Sequence, residues 1–129
     1  MKHDDLFGLL EQLSKEEYCY LTTKGRKTGK PHEIEIWFVV VNSEIYLLSG
    51  GGGESDWVKN LRANPEVTVR IGKYIFPATA RIVQNIQEES TVRPLMAAKY
   101  QGWEEGKELS DWARDALVVG IEIPKRQSP

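Results

Sequence analysis

The chain has 129 residues, 40% of them hydrophobic and 28% charged, the size and composition of a single domain, 1–129, that buries its own core without covalent staples. A formal net charge of -2 argues against a general nucleic-acid binder, whose basic excess covers a whole face, and the single cysteine, Cys19, has no internal disulfide partner. No stretch is long and apolar enough to span a bilayer, and the first residues hold no apolar leader, so a cytoplasmic protein without integral membrane association is expected.

Leu6, Leu9, Leu10 and Leu13 recur at helical spacing behind Asp4 or Asp5, either of which can cap the start, so the chain opens on a short amphipathic helix. Tyr18 to Thr23 alternates as a strand and runs into Lys24-Gly25-Arg26-Lys27-Thr28-Gly29-Lys30. Four of those seven side chains are cationic, and two glycines let the backbone turn and approach a ligand closely. Such a turn is either a solvated hairpin or an anion site. From His32 to Val41 the alternation continues without a break, which reads as one long strand. Asn42-Ser43 is a turn, and Glu44 to Leu48 returns, giving a three-stranded meander.

Four consecutive glycines, Gly50 to Gly53, lead to Ser55 and the helix Asp56 to Ala63, which Asn64-Pro65 stops. A glycine run before a helix N-terminus either cradles phosphate or forms a mobile loop. Val67 to Ile71 and Tyr74 to Val83 form a hairpin, and Pro77 marks an edge or a bulge in its second arm. Glu88 to Tyr100 is helical, with Ser90 as a cap that leaves Pro94 in the first turn. A helical turn at Asp111 to Arg114 and a strand from Ala116 to Ile123 complete the count of about six strands and three short helices. Tight turns between consecutive strands favour a mainly β fold: a small antiparallel barrel flanked by helices.

Familiar nucleotide motifs fail. Lys24 stands where a P-loop needs its first glycine and Pro31 where it needs Ser or Thr. The glycine run does not open a βαβ unit, so a Rossmann domain is rejected. His3, His32 and Cys19 lie too far apart in sequence to suggest zinc, and no nucleophile elbow is present.

The order Leu21 to His32, then the glycine loop, then Trp57 to Val69 resembles the deazaflavin-dependent nitroreductase family, within the split-barrel group that includes pyridoxamine-phosphate-oxidase-like proteins. The resemblance covers roughly Tyr18 to Val83. It implies an antiparallel split β-barrel of the FMN-binding type, a homodimer, and an oxidoreductase that passes hydride from reduced coenzyme F-420 to a small electron-poor acceptor. FMN is the alternative cofactor, and a non-catalytic flavin or tetrapyrrole binder the alternative function. Carried onto this chain, Arg26, Lys27, Thr28 and Lys30 would meet the phosphate or the glutamate tail. His32, Ile34 and Ile36 would begin the strand beside the ring, and Ser49, Gly50, Gly51, Ser55 and Trp57 would close the other side. Asn60 and Leu61 belong to the same motif; helix packing and capping is the alternative for Trp57 and Asn60 and the preferred account of Leu61. No catalytic side chain is implied, since the cofactor carries the chemistry. The chain departs from the family pattern at Glu35, a carboxylate that would oppose an anionic cofactor unless paired, for example with Arg26 or His32.

Overall fold

The computed structural model describes residues 2–124. Its elements run α1 (Lys2–Leu13), β1 (Cys19–Lys24), β2 (Pro31–Ile36), β3 (Val39–Val41), β4 (Glu44–Ser49), a 3-10 turn (Gly52–Glu54), α2 (Asp56–Ala63), β5 (Glu66–Ile71), β6 (Tyr74–Ile82), α3 (Ile86–Gln101), α4 (Asp111–Asp115) and β7 (Leu117–Glu122). All seven strands join one antiparallel sheet in the order β2-β1-β5-β6-β7-β4-β3. The expected count is low by one strand and one helix, because the long strand is two and α1, α2, α3 and α4 are all present.

That long strand is the main correction. Residues 32–41 break at Trp37-Phe38, and the two halves lie at opposite edges of the sheet: β2 pairs with β1, β3 with β4. The expected three-stranded meander therefore does not form, since β1 and β4 have no common partner strand. Three residue steps from Ile36 to Val39 span at most about 11 Å, so the sheet edges must curl toward each other. The result is a split barrel. Phe38 is fully buried at the seam, a burial worth about 2 kcal/mol. Its backbone, which no strand can satisfy, is served by α3: the Tyr100 hydroxyl accepts from Phe38 N at 3.0 Å, and Lys99 Nζ donates to Phe38 O at 2.9 Å.

Two cores result. Inside the barrel Leu10, Leu21, Ile45, Leu47, Val58, Leu61, Val69 and Ile121 pack together, with Cys19 fully buried among them; burial pushes its thiol up to about 12. Outside, Tyr46, Leu48 and Val118 on the other face of β4 and β7 meet Val92 and Met96 of α3. Strands covered on both faces lose polar alternation, which is why β4 and β7 read as nearly continuous apolar runs.

Three local expectations change. Helix α1 begins at Lys2, so Asp4 and Asp5 lie within it and not at its cap. Asn85, not Ser90, caps α3, its side chain accepting from Glu88 N at 2.9 Å. Ser90 instead donates to Ile86 O, and Pro94 falls in mid-helix. Pro77 does sit at a local edge: Thr79 to Ile82 pair with β7, whereas Pro77 pairs only with Thr68 of β5.

Candidate functional site

The basic loop is a closed turn between β1 and β2. Gly25 N donates to Lys30 O at 2.8 Å, Gly29 N to Gly25 O at 2.8 Å, and Lys30 N to Thr28 Oγ1 at 3.2 Å. His32 folds back over it. A Cβ on Gly25 would lie 2.7 Å from His32 Nε2 and 2.9 Å from Thr28 Oγ1, so only glycine admits this packing.

Helix α2 fixes the loop in place. Asn60, 4% exposed, accepts from Arg26 N at 3.2 Å and from Arg26 Nη1 at 2.8 Å through Oδ1, while its Nδ2 donates to Thr23 Oγ1 at 3.2 Å. Arg26 Nη2 lies 3.3 Å from Asp56 Oδ1. Both outer nitrogens of the guanidinium therefore face α2. Between loop, β2 and helix lies a cleft of about 490 Å³. Arg26, Lys27, Thr28, His32, Ile34, Trp57 and Asn60 line it, joined by Thr23, Gly25, Glu33 and Asp56. Lys27 makes no ion pair among the described residues, and neither do Lys24 and Lys30 on the same turn.

The remaining expected residues lie elsewhere. Lys30 is exposed and does not line the cleft. The glycine run is folded on its own serines: Ser49 Oγ donates to Gly52 O at 2.9 Å and pairs with Ser55 Oγ at 2.9 Å. Ser55 occupies the α2 cap position without a side-chain capping bond, its hydroxyl turned instead to Ser49 Oγ. A Cβ on Gly51 would meet that hydroxyl at 2.6 Å, and one on Gly50 would touch Trp112. Ile36 lines a second cleft of about 380 Å³ with Tyr18, Glu35, Trp37, Leu48, Gln101 and Trp112. Strand β2 thus borders both clefts, Ile34 in the basic one and Ile36 in the aromatic one. Trp37 is stacked on Tyr100 with centroids 4.3 Å apart and meets Trp112 edge-on.

Glu35 is resolved by the strand register. It lies directly across from Tyr20, whose hydroxyl donates to Glu35 Oε1 at 2.7 Å, and Arg70 covers the Tyr20 ring at 4.1 Å. The carboxylate is paired on its own face of the sheet, by Tyr20 and not by Arg26 or His32. Asp56 and Glu33 are the residues that sequence reasoning passed over. Only the tertiary contact of loop with helix gives them meaning, although Asp56 stands next to Trp57, which was singled out. Tyr46 and Tyr100 hydroxyls are committed elsewhere. Tyr46 bonds to Glu88 and Glu44, and burial first, then the Glu88 bond, raises its pKa; burial pushes Tyr100 up to about 12.

The family profile described as F420H(2)-dependent quinone reductase matches residues 5–114. A protein of Mycobacterium tuberculosis bearing that same description is 31% identical over 67 residues, 50% of this chain; the match spans 45% of that relative's own length. Among solved structures, one described as F420-H2 dependent reductase (FDR-A) is 27% identical with a TM-score of 0.64, covering 82% of this chain and 94% of that one. Another, described as a domain-swapped dimer, is 25% identical with a TM-score of 0.64, covering 93% and 96%.

Proposed function

The chain belongs to the F420H(2)-dependent quinone reductase family, and from that premise we propose that it is an oxidoreductase that binds reduced coenzyme F-420 and serves a small electron-poor acceptor. A quinone is the first candidate, with nitro compounds and activated alkenes in the same chemical class. The deazaflavin, when bound, supplies the hydride. The protein supplies anchoring, orientation and a dry wall.

The observation that carries this reading is the cleft where Arg26, Lys27, Thr28 and His32 converge opposite Trp57. Its donor set suits a phosphodiester: a fixed guanidinium, a mobile ammonium, a hydroxyl and an imidazole. Lys24 and Lys30, exposed beside it on one turn, are placed for the carboxylates of a glutamate tail. Ile34 and Trp57 offer apolar wall to the ring system, and Asn60 acts through Arg26 by holding it. The aromatic cleft at the other end of β2 is the place for the acceptor, lined by Ile36, Trp37 and Trp112, and Gly50 packs against Trp112. Ser49, Ser55 and Gly51 hold the glycine run closed between them.

The protein works as a homodimer in the cytoplasm. Supporting the first statement, a structural relative is described as a domain-swapped dimer, and Ile75 and Ile86 are each exposed apolar side chains, 63% and 76%. Bearing on the second, no helix among the described residues is long and apolar enough to cross a membrane.

Two measurements test the reading together. Coenzyme F-420 should quench tryptophan fluorescence saturably, and anaerobic mixing of the reduced form with menadione should consume it only when the protein is present. The double variant Arg26→Ala/Lys27→Ala should weaken binding at least tenfold. Tight co-purification of FMN with no quenching by F-420 would overturn the cofactor; unchanged affinity in the double variant would reduce the loop to a turn.

A further inference from the structure

The charges around the basic cleft balance. Two cations, Arg26 and Lys27, line it, and so do two carboxylates, Glu33 and Asp56. Glu33 leans away toward Arg70, with 3.9 Å between Oε2 and Nη2. Asp56 does the opposite: it lies 3.3 Å from Arg26 Nη2, while Asn60 takes Nη1 at 2.8 Å. The guanidinium edge that would otherwise grip a phosphate in a bidentate fork is therefore already held by α2. A ligand meets Arg26 as a charge partly cancelled by its neighbour.

We propose that Asp56 selects the cofactor by phosphate charge, holding the cleft in favour of a singly charged phosphodiester and against a doubly charged terminal phosphate such as that of FMN. This rests on the cofactor reading above and adds to it the residue that discriminates. The physics is additive in charge. At about 6 Å in a water-rich cleft, one carboxylate costs a singly charged phosphate about 3-fold in affinity, and a doubly charged one the square of that, about tenfold. A dianion could draw on Nη2 only by displacing Asp56, with Nη1 still held by Asn60, whereas a monoanion is served by Lys27 and the remaining charge of Arg26. Asp56 is well suited to such a role because its side chain is 87% exposed: the barrel core does not depend on it, and its charge acts on whatever enters beside it.

The test uses Trp57 as reporter, since it lines the same cleft. Wild type, Asp56→Asn and Asp56→Glu are titrated at low ionic strength with coenzyme F-420, FMN and riboflavin, the last carrying the FMN ring and chain without phosphate. Asp56→Asn should tighten F-420 about 3-fold and FMN about tenfold, leave riboflavin unchanged, and lose these gains at high salt. Asp56→Glu should keep the wild-type order. If F-420 binds but Asp56→Asn leaves the FMN-to-F-420 ratio where it was, or shifts riboflavin equally, the selection role is refuted while the cofactor reading stands. If F-420 binds neither protein, the cofactor reading fails and this inference falls with it.

Discussion

Replacing Asn60 by alanine removes three hydrogen bonds at one buried point: two from Arg26, by N at 3.2 Å and Nη1 at 2.8 Å, and one to Thr23 Oγ1 at 3.2 Å. A neutral bond of this kind contributes about 1 kcal/mol and one to a guanidinium about 2 kcal/mol. Because Thr23 is 1% exposed, its hydroxyl loses its partner where water does not reach it, so the loss is not offset by solvent. Bonds sharing one side chain are not additive, and about 3 kcal/mol is expected in total. For a domain of this size that corresponds to a fall in Tm of roughly 10 °C. The same change frees the basic loop from α2, so affinity for the anionic cofactor should fall alongside stability. Thermal unfolding by circular dichroism gives the first quantity and tryptophan quenching by F-420 the second. The control is Thr23→Val, which removes only the Thr23 contact and should cost about 1 kcal/mol with little change in affinity. An Asn60→Ala protein melting within 2 °C of wild type, or one that binds the cofactor as before, would show that the loop stands without its clamp.

Gly25→Ala places a methyl 2.7 Å from His32 Nε2 and should cost about 1–2 kcal/mol as the imidazole is displaced; melting, together with the shift of the His32 resonances, reads it, and unaltered histidine signals would contradict the packing. Lys99 is half-buried at the barrel seam, and desolvation brings its ammonium down to about 8 from an ordinary 10.5. The Lys99 site then holds fewer protons in the folded protein than in the unfolded chain and adds stability as pH rises from about 8, until above about 9 the buried Cys19 thiol, kept protonated by folding, offsets it. Stability should rise between about 8 and about 9 and then level off, and Lys99→Met should abolish the rise and leave a fall above about 9, so urea melts giving wild type and variant the same pH profile would refute this. Tyr46→Phe removes the hydroxyl that donates to Glu88 and lies 3.1 Å from Glu44 Oε1, leaving Arg81 to hold both carboxylates, and should cost about 1 kcal/mol in chemical denaturation; a more stable variant would mean that the hydroxyl is crowded there.

How far the sequence could be read depended on whether the deciding contact was local. The β5–β6 hairpin, the Asn42-Ser43 turn and helix α2 were all visible, because each is set by neighbours in the chain: Asn42 and Ser43 adopt φ of 51° and 69°, as a tight hairpin demands. The break at Trp37-Phe38 was not visible. Val39 to Val41 continue the alternation of β2 without a turn residue, and what bends the chain there is the hydroxyl of Tyr100, 62 positions away. Asn85 takes the cap of α3 that the sequence reading gives to Ser90, and Ser90, a competent cap by residue type, lies one turn inside the helix and bonds back to Ile86 O. At the candidate site the basic loop and Trp57 could be paired from their order along the chain, and the structure brings them to one cleft. The Arg26 to Asn60 clamp, the Asp56 carboxylate and the closure of the glycine run on Ser49 and Ser55 are tertiary contacts between side chains, which no spacing encodes.

The strand order has a consequence for how the protein is made. Hairpin β3–β4 reaches the rest of the sheet only through β7, which is inserted between β6 and β4. As the chain leaves the ribosome, β4 emerges with Ile45 and Leu47 and waits some seventy residues for its neighbour, with a bare edge and an apolar face. Strand β7 is the keystone: shortening the nascent chain before Leu117 should leave β1 to β6 unable to close and prone to aggregate through the unpaired β4 edge. Assembly of this barrel is in effect gated by the emergence of β7.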